Sequence, residues 1–311
     1  MRAVQIQQYG GTDTLKLENI VAPKINDDDI LVLVKSASVN PVDWKIREGY
    51  LQTFIPYDMP LTLGWDVSGV VAEVGSKVTK FKVGDEVFSR PAINRNGSYA
   101  EYIAVKEDEA EFKSPKLNFS QAAALPLAGI TAWQCLVDVA DVKAGDRVLI
   151  HAGAGGVGHL AIQIAKAKGA TVISTASKAN QALLVELGTD QAVDYTAAPL
   201  SEQIQPVDIV IDTMGGDVQQ QSWGLLKPDG ILVSVVDQPD EEVAKAHYAR
   251  GAFVFIDPSS RILRELNSLV ENDELTPLIE HHFTLETVVE AHLQSQSGRT
   301  RGKIVIDVAE S

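Results

Sequence analysis

The sequence predicts an α/β protein with two domains, one of them β-rich and the other built on a doubly wound parallel sheet. Up to about residue 118, short apolar runs alternate with glycine, proline and acidic turns, which is typical of strands joined by tight connections. From about residue 120 to 258, apolar runs alternate with segments of helical length, which indicates parallel strands linked by right-handed crossovers. A chain of 311 residues is also longer than one hydrophobic core usually serves.

Residues 1–119 and 273–311 are assigned to the β-rich domain. A final β-like segment, Lys303–Val308, is predicted to return to this domain from the far end of the chain. The sequence indicates turns at Val83-Gly84-Asp85 and Asn96-Gly97-Ser98, each with glycine at its centre. The predicted strands of the N-terminal part include Ile30–Val34, Val67–Val74, Glu86–Phe88 and Tyr99–Val105.

Residues 120–272 are assigned to the parallel-sheet domain. Its helices are predicted to include His159–Lys168 and, near its end, Ser259–Glu271. The six predicted strands are Val148–His151, Thr171–Thr175, Ala192–Asp194, Ile209–Asp212, Ile231–Val236 and Phe253–Ile256.

Composition excludes several classes of function. The net charge of −15 argues against binding to nucleic acid or to anionic membranes. No apolar run reaches the roughly 18 residues that span a bilayer, and the first residues lack the apolar core of a signal peptide. The single cysteine, Cys135, lies in an apolar stretch and favours a reducing compartment, so we expect a cytoplasmic protein in which this thiol is buried.

A glycine motif carries the strongest functional signal. Residues 148–151 form an apolar run that predicts a buried strand, and the helix-length segment from His159 begins eight residues later. Between them, Gly153, Gly155 and Gly158 fit the pattern G-x-G-x-x-G in the strand–turn–helix context that gives this pattern its meaning. We expect Gly153, Gly155, Gly156, Val157 and Gly158 to surround the pyrophosphate of a dinucleotide at the helix N-terminus.

The residues after the second strand favour NADPH over NADH. An acidic residue about 20 positions beyond the glycines usually binds the ribose 2′-hydroxyl of NAD. No Asp or Glu occurs between Gly158 and Glu186, and Ser177 and Lys178 stand instead where a 2′-phosphate would lie. The alternative is that Lys178 is a solvated lysine at the start of a helix.

Further residues are predicted to line the cofactor because they follow predicted strands. Thr213, Ser234 and Val235 lie at or just beyond the carboxyl ends of strands four and five, where open α/β sheets bind ligands.

Tyr50 and Tyr57 are candidate proton donors on the substrate side, with packing in a core as the alternative for both.

Several motifs together resemble the medium-chain dehydrogenase/reductase superfamily, specifically its zinc-free quinone oxidoreductase branch. The resemblance extends over almost the whole chain, and the motifs occur in the expected order. It implies a GroES-like catalytic domain formed by both chain ends and an inserted Rossmann domain. The motifs lie at residues 31–34, 39–43, 64–71, 83–87, 125–126, 129–133, 152–158 and 301–305.

The resemblance also implies roles for individual residues. Asn40 and Thr131 match family positions near the nicotinamide, although Asn40 could equally cap the turn that Asn-Pro indicates. Tyr195 matches a position near the adenosine, with an ordinary strand-end aromatic as the alternative. Lys303 is a candidate for binding the cofactor, with a surface lysine as the alternative.

No catalytic zinc is expected. A catalytic zinc needs three protein ligands, and zinc-dependent members of the superfamily place cysteine and Gly-His-Glu where this chain has Asn40 and Gly64-Trp65-Asp66. His281 and His282 are adjacent on a predicted strand, so they point to opposite faces and do not form a metal site.

These observations predict NADPH-dependent hydride transfer to a quinone, which is electrophilic enough to react without a metal. One alternative is reduction of the C=C bond of an α,β-unsaturated carbonyl. Another, of a different class, is an NADPH-binding redox sensor without catalysis. The resemblance further implies a homodimer, which we predict to form through edge strands near Ile231–Val236.

Overall fold

The computed structural model describes residues 1–308 and divides the chain into two compact units. The first comprises Met1–Ala128, Asp257–Glu271 and the described chain from Pro277 on. The second comprises Gly129–Ile256 and Asn272–Thr276. The α/β class predicted from the sequence, with one β-rich unit and one parallel-sheet unit, is confirmed.

Strands and helices are numbered in chain order. The strands are β1 (Arg2–Ile6), β2 (Lys16–Asn19), β3 (Asp29–Val39), β4 (Leu61–Thr62), β5 (Val67–Val74), β6 (Glu86–Ser89), β7 (Tyr102–Lys106), β8 (Ala110–Phe112), β9 (Arg147–Ile150), β10 (Thr171–Ala176), β11 (Gln191–Asp194), β12 (Val207–Asp212), β13 (Leu226–Ser234), β14 (Arg250–Phe253), β15 (Ile279–Thr284) and β16 (Lys303–Asp307). The helices are α1 (Pro41–Arg47), α2 (Phe119–Ala123), α3 (Pro126–Trp133), α4 (Gly158–Ala167), α5 (Gln181–Glu186), α6 (Leu200–Gln203), α7 (Gly216–Ser222), α8 (Glu241–Ala246), α9 (Ser260–Glu271) and α10 (Val288–Gln296).

The first unit is built on two sheets. The larger has the order β15-β16-β3-β5-β6-β8, with β7 also paired to β3, and the smaller has the order β2-β1-β4. The predicted return of the C-terminal strand is confirmed, because β16 pairs antiparallel with β3 from Ile304–Val39 to Asp307–Ser36. Alternating apolar residues of β3 and β5 point into one buried core together with Trp65.

A helix interrupts the region that the sequence pattern predicts to be entirely β. Asn40 is the N-cap of α1, Pro41 occupies the first helical position, and the backbone N–H of Asn40 donates to the Asp43 carboxylate at 2.8 Å. These are favourable helix-starting features. The Asn-Pro pair therefore begins a helix here, whereas the sequence alone also allowed a turn.

The second unit holds six parallel strands in the order β11-β10-β9-β12-β13-β14. Four of them overlap the predicted strands closely. Strand β13 begins five residues before the predicted Ile231–Val236 and ends two residues before its end, and the sixth strand, Arg250–Phe253, lies three residues earlier than predicted. This strand is mostly exposed and is held by backbone pairing to β13, so it lacks the apolar run that marks buried strands. The prediction of an edge strand near Ile231–Val236 is wrong, because β13 lies between β12 and β14.

The limits of the two units differ from the predicted limits at residues 119 and 272. Helix α9 falls in the first unit, because its Asn267 amide donates to the Phe112 carbonyl at 2.7 Å and its Arg264 pairs with Glu111 at 3.1 Å. Ser120 also falls in the first unit, and its hydroxyl donates to Asp307 at 2.9 Å.

Among the described helices, none combines the length and the apolar composition that a membrane crossing requires.

Candidate dinucleotide and substrate sites

The glycine-rich turn between β9 and α4 has the geometry that the sequence predicts. A Cβ on Gly153 would lie 1.9 Å from the Ser174 hydroxyl, and a Cβ on Gly158 would lie 2.3 Å from the Ala152 carbonyl oxygen. Both contacts are too short for any side chain, so these two positions require glycine for packing of the turn against β10 and α4. Ala152 itself adopts a left-handed backbone conformation, with φ of 50°.

The middle of the turn is open by contrast. A Cβ on Gly155 would meet only the Ala152 carbonyl oxygen, at 3.2 Å. The residues from Gly155 to Val157 are half-buried and lead directly into the ten-residue helix α4. The first N–H groups of a helix lack intrahelical acceptors and carry partial positive charge, which is the arrangement that binds phosphate. The residues present therefore fit the pyrophosphate of a dinucleotide.

The turn lies at the topological switch point of the sheet. The chain runs from β9 to β10 on one side and reaches β12 on the other side, so the carboxyl ends of β9 and β12 flank a crevice of the kind that binds ligands. Thr213 is at this edge, and its hydroxyl donates to the His151 carbonyl at 3.2 Å. Ser234 and Val235 follow at the end of β13, so the structure brings three predicted site residues to the same edge as the glycines.

One buried carboxylate organises this edge, and the sequence analysis missed it. Asp212 is fully buried and accepts hydrogen bonds from the Ser234 hydroxyl at 2.9 Å and from the Gln219 amide at 3.0 Å. Its other oxygen accepts from the backbone N–H groups of Met214 and Gly215, both at 2.9 Å. Asp212 thus fixes the loops after β12 and β13. An aspartate at the end of an apolar strand was the signal available in the sequence.

Ser177 and Lys178 lie where the second strand of the sheet ends. Ser177 directly follows β10 and caps a short 3₁₀ helix, and Lys178 is exposed. The neighbouring strand β11 ends at Asp194, which pairs in register with Ala176. The pKa of Asp194 is lowered mainly by hydrogen bonds from Thr196, and the positive charge of Lys178 adds to this effect. Tyr195, the next residue, is 57% exposed.

A second group of polar residues is buried in the first unit. Asp66 is fully buried, and one of its carboxylate oxygens accepts from the Ser38 hydroxyl and from the Asn40 amide, both at 2.8 Å. The Lys303 ammonium donates to the same Asp66 oxygen at 3.2 Å and to the Asn40 side-chain carbonyl at 2.5 Å. Asn40 and Lys303, two predicted site residues that are far apart in the chain, are therefore in direct contact. Lys303 is only 3% exposed, so it is not a surface lysine.

Asp43 lies beside this group, and none of the described cationic side chains forms an ion pair with it. One oxygen accepts from the Tyr99 hydroxyl at 2.7 Å and from the Asn40 backbone N–H, while the other has no hydrogen-bond partner among the described residues. Burial raises the pKa of Asp43 to about 7, and the negative charge of Asp66 adds to the effect.

This raised pKa predicts a pH-dependent stability. The folded protein holds the Asp43 proton more tightly than the unfolded chain, whose aspartates have pKa values near 4. The contribution of Asp43 to stability is therefore complete below about pH 4 and is lost as pH rises to about 7. The variant Asp43→Asn carries a neutral side chain that resembles the protonated carboxyl. Its free energy of unfolding should exceed that of the unmodified protein by a margin that grows between about pH 4 and about pH 7. At the upper end the margin should be on the order of a few kcal/mol. Urea unfolding at several pH values measures the margin, and a constant difference would contradict the expectation.

Three further predicted residues lie on other elements of the two units. Thr131 is buried in α3 and belongs to the second unit. Tyr50 is 62% exposed and makes an edge contact with Trp44, with ring centroids 5.9 Å apart. The Tyr57 hydroxyl donates to the Ile93 carbonyl at 2.7 Å, and burial raises its pKa. This hydrogen bond therefore fixes the Tyr57 side chain within the first unit.

Possible metal ligands do not cluster within the described chain. Residues 1–308 contain no group of three or more histidine, cysteine or acidic side chains placed to hold a metal ion. His281 lies near Glu280, and His282 contacts Asp307 at 2.9 Å. Cys135 is buried, as predicted, and burial raises the pKa of its thiol to about 12.

The fold and the glycine-rich turn define an α/β oxidoreductase of the type that holds a nicotinamide dinucleotide. The family described as alcohol dehydrogenase GroES-like domain matches residues 26–116, and the family described as zinc-binding dehydrogenase matches residues 187–306. The chain belongs to the medium-chain dehydrogenase/reductase superfamily, among its quinone oxidoreductases and alkenal reductases, and the predicted resemblance is confirmed.

Individual relatives place the chain within that superfamily. The quinone oxidoreductase of Coxiella burnetii, a solved structure, is 42% identical and superposes with a TM-score of 0.91 over 99% of both chains. The chloroplastic NADPH-dependent alkenal/one oxidoreductase of Arabidopsis thaliana is 36% identical over 98% of this chain and 79% of its own length. The quinone oxidoreductase of Pongo abelii is 33% identical over 98% of this chain and 97% of its own.

Proposed function

We propose that the protein catalyses NADPH-dependent, metal-independent transfer of hydride to a quinone. The observation that carries the proposal is the glycine-rich turn at the N-terminus of α4, where Gly155 leaves the backbone open to a pyrophosphate at the switch point of the sheet. The identity of 42% to a quinone oxidoreductase supports the substrate class. When bound, the nicotinamide supplies the hydride, and the protein supplies position and electrostatics.

This chain's own residues would hold and orient the reactants. The turn from Gly153 to Gly158 binds the pyrophosphate, while Thr213, Ser234 and Val235 line the edge of the sheet beside it. In the first unit, Asp66 and Lys303 fix the Asn40 side chain through both of its polar atoms. An amide nitrogen carries two N–H groups, so one N–H of Asn40 remains for a ligand. Thr131 and Tyr50 are the other residues we propose on the catalytic side.

Metal independence is proposed because of the donor set. Asn40 and Trp65 occupy the positions where zinc-dependent relatives place ligands, and neither side chain is a zinc ligand. A quinone is already electrophilic, so hydride can add to it with help from hydrogen bonds and positioning alone.

The test is oxidation of NADPH, followed by its absorbance, against a panel of quinones and enones in the presence of EDTA. Activity on quinones that survives the chelator and exceeds activity on enones is the expected result. Activity confined to enones would establish the second candidate, reduction of an activated C=C bond, which the relationship to an alkenal/one oxidoreductase favours. Binding of NADPH without turnover on any acceptor would instead favour a redox sensor.

NADPH is proposed over NADH because Ser177 and Lys178 directly follow β10 and because no Asp or Glu occurs between Gly158 and Glu186. Tyr195 is proposed to lie near the adenosine on the same side. Asp194 is the opposing charge in this neighbourhood, but its carboxylate is engaged by Thr196 through two hydrogen bonds.

The variant Lys178→Ala is expected to raise the KM for NADPH about tenfold and to leave the KM for NADH nearly unchanged, because only NADPH carries the phosphate that a charge-assisted hydrogen bond would hold. Steady-state kinetics with both cofactors measures the ratio. Lys245→Ala is the matched control, since Lys245 is an exposed lysine of the same unit that pairs with Glu242. Equal effects on the two cofactors would remove Lys178 from the site.

A homodimer and a cytoplasmic location are proposed as well. The edge strands of the parallel sheet are β11 and β14, of which β14 is the more exposed, so pairing between β14 strands of two copies is the expected contact. Light scattering that reports a monomeric mass would contradict the dimer. The cytoplasmic location rests on the single buried cysteine, which suits a reducing compartment.

A further inference from the structure

Arg90 occupies a special position beside the buried polar group of the first unit. Strands β5 and β6 pair in antiparallel register, with Val67 opposite Ser89. Asp66 directly precedes β5, and Arg90 directly follows β6. Directly opposite residues of an antiparallel pair have Cβ atoms about 5 Å apart and project from the same face. Arg90 therefore lies near enough to the carboxylate that holds Asn40 and Lys303 for the negative charge of Asp66 to act on it.

Arg90 is nevertheless unpaired. The residue is 2% exposed, its Nε has no hydrogen-bond partner, and no described residue forms a hydrogen bond or ion pair with its guanidinium. The acidic groups that act on it through space are Asp66, Glu109 and Asp257, all beyond ion-pair distance. Burial accordingly lowers the pKa of Arg90.

The two buried acids near Arg90 are engaged elsewhere. Asp66 accepts from the Leu127 backbone N–H at 2.6 Å through one oxygen and from Ser38, Asn40 and Lys303 through the other. Glu109 accepts from the Ala92 backbone N–H at 3.1 Å. Both of these carboxylates thus accept from other donors, and none of the described residues pairs with the guanidinium.

The backbone that carries Arg90 is firmly held. The preceding Ser89 hydroxyl donates to the Glu109 carbonyl at 2.6 Å, and the following residue is proline. The loop beyond is tied down by Tyr57, which donates to Ile93, and by the Trp65 indole, which donates to the Arg95 carbonyl at 3.2 Å. A buried, positively charged fork on such a rigid support is pre-organised for an oxygen ligand.

A buried charge without a partner is costly to stability. Because a guanidinium does not lose its proton in proteins, Arg90 cannot escape this cost by becoming neutral. The cost is explained if the partner is a ligand rather than a residue.

We propose that Arg90 binds the carbonyl oxygen of the conjugated substrate and stabilises the negative charge that reduction places on it. This proposal rests on the proposed function and adds the residue that recognises the substrate. The substrate accepts a hydride, with its electron pair, from the dihydronicotinamide, which is oxidised to the nicotinamide cation. The π electrons then move onto the carbonyl oxygen, giving a hydroquinone anion or an enolate beside Arg90. One proton from solvent, taken at oxygen or at the α carbon, completes the two-electron reduction.

The first test is binding of 4-nitrophenol, whose anion mimics the charged oxygen and is coloured where the neutral phenol is not. At a fixed pH below the pKa of the free phenol, the unmodified protein should raise the ionised fraction of the bound probe. Arg90→Gln should abolish this increase. Arg90→Lys should keep part of it, because lysine carries the positive charge but lacks the planar set of N–H donors of a guanidinium. Arg299→Gln removes the same charge from an exposed position and should behave like the unmodified protein. An unchanged ionised fraction in Arg90→Gln would overturn the proposal.

The second test separates a functional role from a structural one. Arg90→Gln should lower kcat/KM for quinones about a hundredfold or more, as loss of an oxyanion donor does, while the Kd for NADPH stays the same. Its melting temperature should rise by about 2 °C or more, since an unpaired buried charge is removed. A lower melting temperature would show that Arg90 is structural, and it would overturn the proposal. If the unmodified protein binds the phenolate through Arg90 but reduces no quinone or enone, the proposed function is wrong and the assignment of Arg90 as an oxygen-binding site is retained. If the unmodified protein and Arg90→Gln reduce quinones equally well, the role of Arg90 is wrong and the proposed function is retained.

Discussion

Asp66→Ala is expected to lower the free energy of unfolding by about 3–5 kcal/mol, the usual cost of removing one partner from a buried ion pair. The Lys303 ammonium is 3% exposed, and without Asp66 it keeps only the Asn40 carbonyl as a partner. Ser38, Asn40 and the Leu127 backbone N–H would lose their acceptor as well. Urea unfolding followed by circular dichroism measures the loss.

Two further variants identify the cause of that loss. Glu242→Ala removes a carboxylate from an exposed pair with Lys245 and should cost less than about 1 kcal/mol. Asp66→Ala combined with Lys303→Met removes both buried charges, so the double variant should be more stable than Asp66→Ala alone. Additive losses from the two substitutions would show that Asp66 and Lys303 do not depend on each other, and would contradict the ion pair between them.

The parts of the fold that follow local rules were predictable from the sequence. Strands β9 and β12 are apolar runs because parallel strands are covered on both faces, and their predicted and observed positions nearly coincide. The glycine-rich turn was predictable because its G-x-G-x-x-G spacing is a local pattern between a strand and a helix, although the contact that excludes a side chain at Gly153 comes from Ser174 on β10. Strand β14 was misplaced because an exposed edge strand is defined by backbone pairing, which leaves little trace in side-chain pattern.

The polar contacts of the first unit were beyond local rules. Asn40 and Lys303 were both selected from the sequence, yet their direct contact depends on β16 pairing with β3 across the length of the chain. Asp66 entered the sequence argument only as part of Gly64-Trp65-Asp66, the segment that replaces Gly-His-Glu, whereas the structure makes it the centre of the buried group. Arg90 carries no signal at all in the sequence, because an arginine near a turn is ordinarily exposed.

Replacing the glycines of the turn should separate packing from cofactor binding. In Gly155→Ala the new Cβ meets only the Ala152 carbonyl oxygen, at 3.2 Å, so a shift of a few tenths of an ångström accommodates it and the fold should tolerate the change. The methyl group would nevertheless stand where the pyrophosphate approaches the backbone. We therefore expect the Kd for NADPH to rise about a hundredfold, equivalent to nearly 3 kcal/mol, with little change in melting temperature. Titration of the purified variant by isothermal calorimetry measures the Kd.

Gly158→Ala should fail in a different way, because its Cβ would lie 2.3 Å from the Ala152 carbonyl oxygen and 2.7 Å from the Gly153 Cα, and neither backbone atom can move away. This variant should lose both stability and cofactor binding, whereas Gly155→Ala should lose binding alone. Gly224→Ala is the matched control in the same unit, since no atom lies within 4 Å of its Cβ position. Normal NADPH affinity in Gly155→Ala would mean that the cofactor does not approach this turn, and the assignment of the dinucleotide site would then be wrong.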